Sequence, residues 1–425
     1  MEYMNWNPVL NFILDIKNAY LSKFNDNDCV HSYMKYDYNN CLSFWIDRLN
    51  HAGYYNAGTF ADIVRWVNIN QKGDLILIKY TLEDIDPETF ANFWDLYNHF
   101  YMECRSVVID VKNECLALTP FRKFRNVGEC EKNSIENIKK MIDDAHTVEI
   151  TEKLDGSMVS ARWYNGELLV AGSQALDTAH SFRLVNYYNW FNENPDAVNM
   201  LKVHSNYTFI FEGIFKNDPH VVHYDEADYG LHLIGIRNVK TGFDFSYNIV
   251  DCIGRAYGIP HVKPLPLTFQ NVIDMTSSSD TGSDEAEGFV ISIDGYKVKC
   301  KFVDYVLMHK SLNVMVSPNY IIDAIKNDRW DDWYAKIPEV YKPRAKEIAD
   351  DIFKYINLMN KIIDSYINYI PKDMINSRKD SMIYINNNVP KIFAGKVRSR
   401  YLGQKINLFS GVKYNDIKDF LAIFA

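Results

Sequence analysis

Lys153 has the setting of a reactive amine. It sits in Glu152-Lys153-Leu154-Asp155-Gly156-Ser157, directly after Thr147-Val-Glu-Ile-Thr151. That preceding run alternates apolar and polar residues and reads as a half-buried strand. The lysine is therefore held at a rigid strand end, and the glycine lets the backbone bend close to a ligand. An amine attacks only when neutral, so such a site needs burial or nearby cations to release its proton.

Other residues with chemistry lie on either side. Tyr207-Thr-Phe-Ile-Phe-Glu212-Gly213 is an apolar run ending in a carboxylate. Such a buried glutamate is costly unless it binds a ligand or a metal. Glu287-Gly288 opens Phe289-Val-Ile-Ser-Ile293, and an Asp294-Gly295 turn leads into Tyr296-Lys-Val-Lys-Cys-Lys-Phe302. Period-two alternation puts Lys297, Lys299 and Lys301 on one face of the returning strand, with Val298, Cys300 and Phe302 on the other. Two readings stay open for that face: an anion-binding surface, or edge lysines that block aggregation. Upstream, Arg105, Arg122, Lys123 and Arg125 make either a solvated face or a cationic wall for polyphosphate.

The elements that must position these residues are mostly strands. Arg105–Asp110 and Cys115–Thr119 flank a Lys112-Asn113 turn. Met158–Trp163 and Glu167–Gly172 flank Asn165-Gly166, a strong hairpin signal. Gly230–Asn238 is another apolar strand, and residues 180–205 read as helix. Residues 1–80 are aromatic-rich, with short helical patterns and no evident chemistry. Asp86-Pro87-Glu88 opens a helix with an apolar stripe at Phe90, Phe93, Trp94, Tyr97 and Phe100, a packing face. Residues 276–285 form a polar Ser/Asp loop.

After about residue 312 the strand signals fade. Ile348, Ile352, Tyr355, Met359, Ile362, Ile363 and Tyr366 mark a packed helix. Between Asp380 and Asp416 there is no acidic residue, while Lys391, Lys396, Arg398, Arg400, Lys405 and Lys413 are all basic. In a chain of net charge −9, that asymmetry favours nucleic-acid contact.

Composition bounds the rest. The chain has 425 residues, 47% hydrophobic and 24% charged, which suits two or three globular domains. The 7 cysteines are scattered and form no Cys-x-x-Cys, so a reduced cytoplasmic protein is expected. No signal pattern or membrane-length apolar run is present. The acidic balance excludes a coat-like nucleic-acid binder. There is no P-loop, no Gly-x-Gly-x-x-Gly and no His-Glu-x-x-His.

Taken in order, Glu-Cys-Arg105, Pro-Phe-Arg-Lys123-Phe-Arg-Asn, Glu-Lys153-Leu-Asp-Gly-Ser, Phe-Glu212-Gly, Glu287-Gly-Phe-Val and Lys299-Cys-Lys301-Phe-Val-Asp-Tyr305 resemble the covalent nucleotidyltransferases. The match is to the bacteriophage RNA ligase 1 family, over roughly residues 100–311. The resemblance implies an α+β chain: an antiparallel-sheet nucleotidyltransferase core of the ATP-grasp-like ligase kind, followed by an all-helical C-terminal domain. Its boundaries are residues 1–311, including an N-terminal extension of about 80 residues, and 312–425, expected to bind RNA.

The activity implied is ATP-dependent RNA ligation through a lysyl-AMP intermediate and an adenylylated RNA 5′ end, with tRNA repair as the biological expectation. Lys153 would be the nucleophile, and Lys299 and Lys301 would neutralise the α-phosphate. Arg105 and Lys123 would take the outer phosphates, and Glu152, Asp155, Gly156 and Glu212 would contact the nucleotide. Glu287, with help from Glu212, would hold Mg²⁺. Lys391, Lys396, Arg398, Arg400 and Lys405 would contact RNA.

The partner expected is RNA with 5′-phosphate and 3′-hydroxyl ends; no membrane is involved and a monomer is expected. One position departs from the family: Ala171 stands where relatives often carry a basic residue before Gly-Ser, leaving Arg162 or Lys216 to compensate. The competing readings are a catalytically silent RNA-end-binding protein on the same fold and a DNA ligase or capping-type enzyme. The helical C-terminus disfavours the latter.

Overall fold

In a computed structural model, the chain divides into two compact units, Met1–Val306 and Leu307–Ala425. The residues described are 6–26, 28–81, 100–277, 286–303, 305–306, 317–327, 329–335, 337, 341–404, 406–409 and 412–424. The expected helix from Asp86, the tip of the Ser/Asp loop and Lys405 lie outside them. Of the aromatic stripe only Phe100 is described, and it packs edge-on against Phe12.

The first unit is α+β, and its strand pairs are antiparallel. One sheet has the order β1-β2-β3-β4, from Val67–Lys72, Leu75–Tyr80, Arg105–Asp110 and Cys115–Leu118. A second has the order β11-β10-β5, from Val148–Lys153 (β5), Gly288–Ile293 (β10) and Tyr296–Lys301 (β11). The third has the order β7-β6-β8-β9, from Ser157–Tyr164 (β6), Glu167–Ala171 (β7), Tyr207–Ile214 (β8) and Gly230–Asn238 (β9). The predicted turns form: Asn165-Gly166 and Asp294-Gly295 both take left-handed φ, as a two-residue hairpin requires.

One hairpin was not read from the sequence. β1 and β2 pair across Gly73-Asp74, so residues 1–80 are not purely helical. The helices Pro8–Phe24, Cys41–His51 and Ala57–Val64 precede that hairpin, and their buried residues share one core with it, centred on Leu10, Ile13, Trp45 and Ile76. A separate core fills one face of the third sheet, where Val159, Phe209, Phe211 and Leu231 pack with residues of the helices Phe182–Glu193 and Pro195–Val203. Burying a side chain of this size contributes about 1.5–3 kcal/mol, so these faces fix the register of the strands that carry the site.

The second unit is helical among its described residues. The 27-residue helix Lys342–Asn368 is central, with Ile348, Ile352, Tyr355, Met359 and Ile363 buried. Residues of Pro318–Lys326, Lys391–Tyr401 and Tyr414–Phe424 share its core. No helix among the described residues is long and apolar enough to cross a membrane.

Candidate active site

The turn Leu154-Asp155-Gly156 joins two sheets, because β5 ends at Lys153 and β6 begins at Ser157. Its geometry is enforced from behind. The Asp155 carboxylate accepts hydrogen bonds from the backbone N–H of Val221 and Val222, each at 2.9 Å, and from the Tyr305 hydroxyl at 2.8 Å. Its contribution is thus to hold the turn. Asp155 is not among the residues that line the pocket. Gly156 is needed for close approach: a Cβ there would lie 2.6 Å from the Gly213 carbonyl oxygen.

Register brings the chemistry together. Gly288 pairs with Lys153 on one side and Lys301 on the other, so Glu287 enters between two lysines. Its buried carboxylate accepts from Lys153 Nζ at 2.5 Å through Oε2 and from Lys301 Nζ at 2.7 Å through Oε1. Arg105, Glu152, Lys153, Gly156, Glu212, Lys299 and Lys301 line one pocket of about 220 Å³. Phe124, Ile234, Val262 and Val290 give that pocket its apolar surface. Seven of the residues singled out from the sequence therefore face one space, and Glu287 ties two of them.

Two groups there are electrostatically unusual. Burial, with Glu287 nearby, pushes the Glu212 carboxyl up to about 7 against the pull of Lys153 and Arg105. Its Oε1 accepts from the Gly156 N–H at 3.1 Å. Burial also brings Lys299 down to about 7, helped by Lys123, Arg105, Lys301 and Lys153. A desolvated, mutually repelling set of cations is a strong anion trap, because a bound phosphate would relieve the repulsion.

The lysine face of β11 is not that of an open edge strand. Its edge is covered by Asn126, which bridges to Lys299 in parallel, with Lys299 N–H donating to the Arg125 carbonyl at 3.1 Å. Lys299 and Lys301 line the pocket, while Lys297 is buried in a 2.8 Å ion pair with Asp244. The supposed polyphosphate wall divides as well. Arg105 faces the pocket, but Arg122, Lys123 and Arg125 line a neighbouring cleft.

Ala171 is buried in an apolar cluster with Leu77, Val108 and Leu118. Neither proposed substitute compensates. Arg162 is bound to the carbonyls of Leu116, Ala117 and Ser205, and Lys216 is exposed and paired with Glu226. In the helical unit Lys391 and Arg398 are exposed, but Arg400 is half-buried against Asn360 and Asp364, so its charge is used internally.

Three site residues were missed from the sequence. Tyr80, at the end of β2, accepts from Lys123 Nζ at 2.9 Å; Lys123 and Arg105 hold its hydroxyl below the usual range despite burial. The apolar run Leu75-Ile-Leu-Ile after Gly73-Asp74 was the available signal. Phe124 lies under both Arg105 and Lys299, at 5.2 and 5.8 Å. Ser106 has φ +70° and forms a bulge opposite Ile78/Lys79, with its Oγ donating to the Ser173 carbonyl at 2.6 Å. Bulges re-aim side chains, and this one sits directly beside Arg105.

A pocket of lysines and carboxylates thus lies at the junction of two antiparallel sheets. Residues 103–310 match the RNA ligase family, the bacteriophage RNA ligase 1 family named above from the motifs. A baculovirus protein from Autographa californica nuclear polyhedrosis virus, described as a bifunctional polynucleotide kinase/RNA ligase, is 23% identical over 301 residues. That alignment covers 64% of this chain and 40% of the relative, so the chain spans well under half of that protein. Among solved structures, an archaeal ATP-dependent RNA ligase aligns at 13% identity and TM-score 0.43, over 74% of this chain and 82% of that one. A Naegleria gruberi RNA ligase with pyrophosphate aligns at 16% and TM-score 0.35, over 44% and 57%.

Proposed function

We propose that the protein is an ATP-dependent RNA ligase. The observation that carries this reading is the Glu287 carboxylate shared between Lys153 and Lys301, in a pocket that also holds Lys299, Arg105 and Glu212. Lys153 Nζ attacks the α-phosphorus of ATP, forming a P–N bond as the bond to pyrophosphate breaks. The Glu287 carboxylate is in place to accept the amine's proton. Lys299 and Lys301 neutralise charge building on the α-phosphate, and Arg105 orients the leaving pyrophosphate. The AMP then passes to an RNA 5′-phosphate, which restores the free lysine. A 3′-hydroxyl displaces AMP and seals the strand.

Glu287 and Glu212 fit a hard divalent cation such as Mg²⁺, which takes one or two carboxylates and completes its shell with phosphate and water oxygens. Glu212 is buried close to Glu287, and burial with that second carboxylate pushes it up to about 7, a repulsion that a cation between them would relieve. When bound, the cation would supply Lewis-acid polarisation of phosphoryl oxygens. The helical unit, with Lys391, Lys396 and Arg398, would contact RNA, and nicked tRNA is the substrate the family suggests.

The test is incubation with α-labelled ATP and Mg²⁺ followed by a denaturing gel. Label should remain on the wild-type chain, be released by pyrophosphate, and be lost in Lys153→Ala. Undiminished label on the variant would place the nucleophile elsewhere.

A further inference from the structure

Beside the nucleotide pocket lies a larger cleft of about 630 Å³, whose lining includes Arg122, Lys123, Arg125, Lys132 and Tyr296. Phe121 and Phe124 line both cavities and stand between them. The cleft also holds Lys297 and Asp244, but these neutralise each other at 2.8 Å. Glu131 is its other acid. Four cations therefore face one unpaired carboxylate, in a chain whose net charge is −9.

Those cations are kept available. Arg122, Arg125 and Lys132 make no ion pair among the described residues, and the Arg122 Nε is buried without a hydrogen-bond partner. The nearest polar contact of Arg122 is the Met102 sulfur at 3.5 Å. Lys132 Nζ sits 4.6 Å from the centre of the Tyr296 ring, whose hydroxyl is fixed by Asn133 at 2.6 Å. Unpaired cations interleaved with fixed aromatic rings suit a single nucleic-acid strand, with phosphates on the cations and bases on the rings. The cleft is also aligned with the chemistry. The Arg125 carbonyl accepts from the Lys299 N–H, so the cationic segment runs directly alongside the strand that carries the α-phosphate lysines.

We infer that this cleft receives the 5′-phosphorylated strand, with Arg122, Arg125 and Lys132 holding its first phosphodiesters so that the terminal phosphate meets the lysine-bound AMP. The inference rests on the ligase reading above and assigns that reaction's second substrate to a place in the core unit. An extension of the polyphosphate site fits less well, because Phe121 and Phe124 intervene.

The experiment uses the full chain with paired substitutions, Arg122→Ala with Lys132→Ala, and separately Arg125→Ala, which leaves the backbone bond to Lys299 intact. Binding of a 5′-phosphorylated single-stranded oligoribonucleotide is measured across a salt series, and lysine labelling by ATP is measured in parallel. Binding by the double variant should weaken at least tenfold at low salt. Its slope of log K against log salt should shrink by about 1.4, since each single-strand phosphate contact contributes about 0.7. Lysine labelling should stay within about twofold of wild type at any ATP concentration, and Arg122→Lys with Lys132→Arg should restore binding.

Unchanged affinity and slope would overturn the inference. So would a defect confined to a higher ATP requirement for labelling, which would make the cleft part of the polyphosphate site. Failure of the ligase reading would show separately, as absence of label on the wild-type chain.

Discussion

Gly288→Ala should cripple the site from a position with no reactive group. Gly288 has φ +147°, a region that L side chains rarely adopt. An added Cβ would lie 2.1 Å from the Cys300 carbonyl oxygen and 2.7 Å from Lys301 Cα. Real Cβ contacts essentially never fall below 3.0 Å, so β10 and β11 must part by about 0.9 Å at this register.

Two costs follow. The backbone strain is of order 1–3 kcal/mol, and the overpacking is of similar size, so a loss of about 3–5 kcal/mol of stability is expected. That is a large share of the 5–15 kcal/mol typical of a folded domain. The same shift separates Glu287 from Lys301 and presses β10 toward β5, which carries Lys153. A displacement near 1 Å costs roughly 100-fold in a positioned reaction. Denaturant unfolding should show the lower midpoint, and single-turnover lysine labelling with α-labelled ATP should show the slower rate below the unfolding transition. A variant with wild-type midpoint and wild-type labelling would refute the claim that strand register sets the geometry of this site.

Lys297→Ala should destabilise by about 1–3 kcal/mol while leaving the labelling rate of folded protein near wild type, because buried Asp244 loses one of its two cationic partners and keeps only Arg237 at 3.3 Å. Adding Asp244→Asn should recover much of the loss in a thermal or denaturant melt. The depressed Lys299 gives a pH prediction. Its amine is charged below about pH 7 in the free protein and neutral above, so triphosphate binding should draw a proton onto it. ATP affinity should fall as pH rises from 7 to 9, and calorimetry at pH 8 in buffers of different ionisation enthalpy should show proton uptake that shrinks in Lys299→Arg. Deleting residues 312–425 should spare lysine labelling but impair joining of a nicked tRNA, and full joining by the truncated chain would remove the RNA-reading role from the helical unit.

Much of the core was legible because local rules and function agree there. Asn165-Gly166 and Asp294-Gly295 specify hairpins by backbone chemistry alone, and strand alternation then fixes which residues share a face. Alternation placed Lys299 and Lys301 together, and motif order supplied Lys153, Glu212 and Glu287. Harder to see was the β1–β2 hairpin, whose Gly-Asp turn is a weaker signal within an aromatic-rich, mostly helical stretch.

What the sequence by itself determined was the set of reactive residue types, their order and the strands that carry them. These depend on chemistry and on period-two patterning, which act over a few residues. Only the tertiary structure decided how each charge is used. Lys297, Lys299 and Lys301 are equivalent by alternation, yet one is neutralised by Asp244, one is desolvated among cations, and one is bonded to Glu287. Likewise Asp155 faces a turn it must hold, Arg400 a helix it must pair, and Arg122 a cleft beyond two phenylalanine rings. Burial and counter-charge come from residues remote in sequence, and they set whether an ionisable group is structural or available for chemistry.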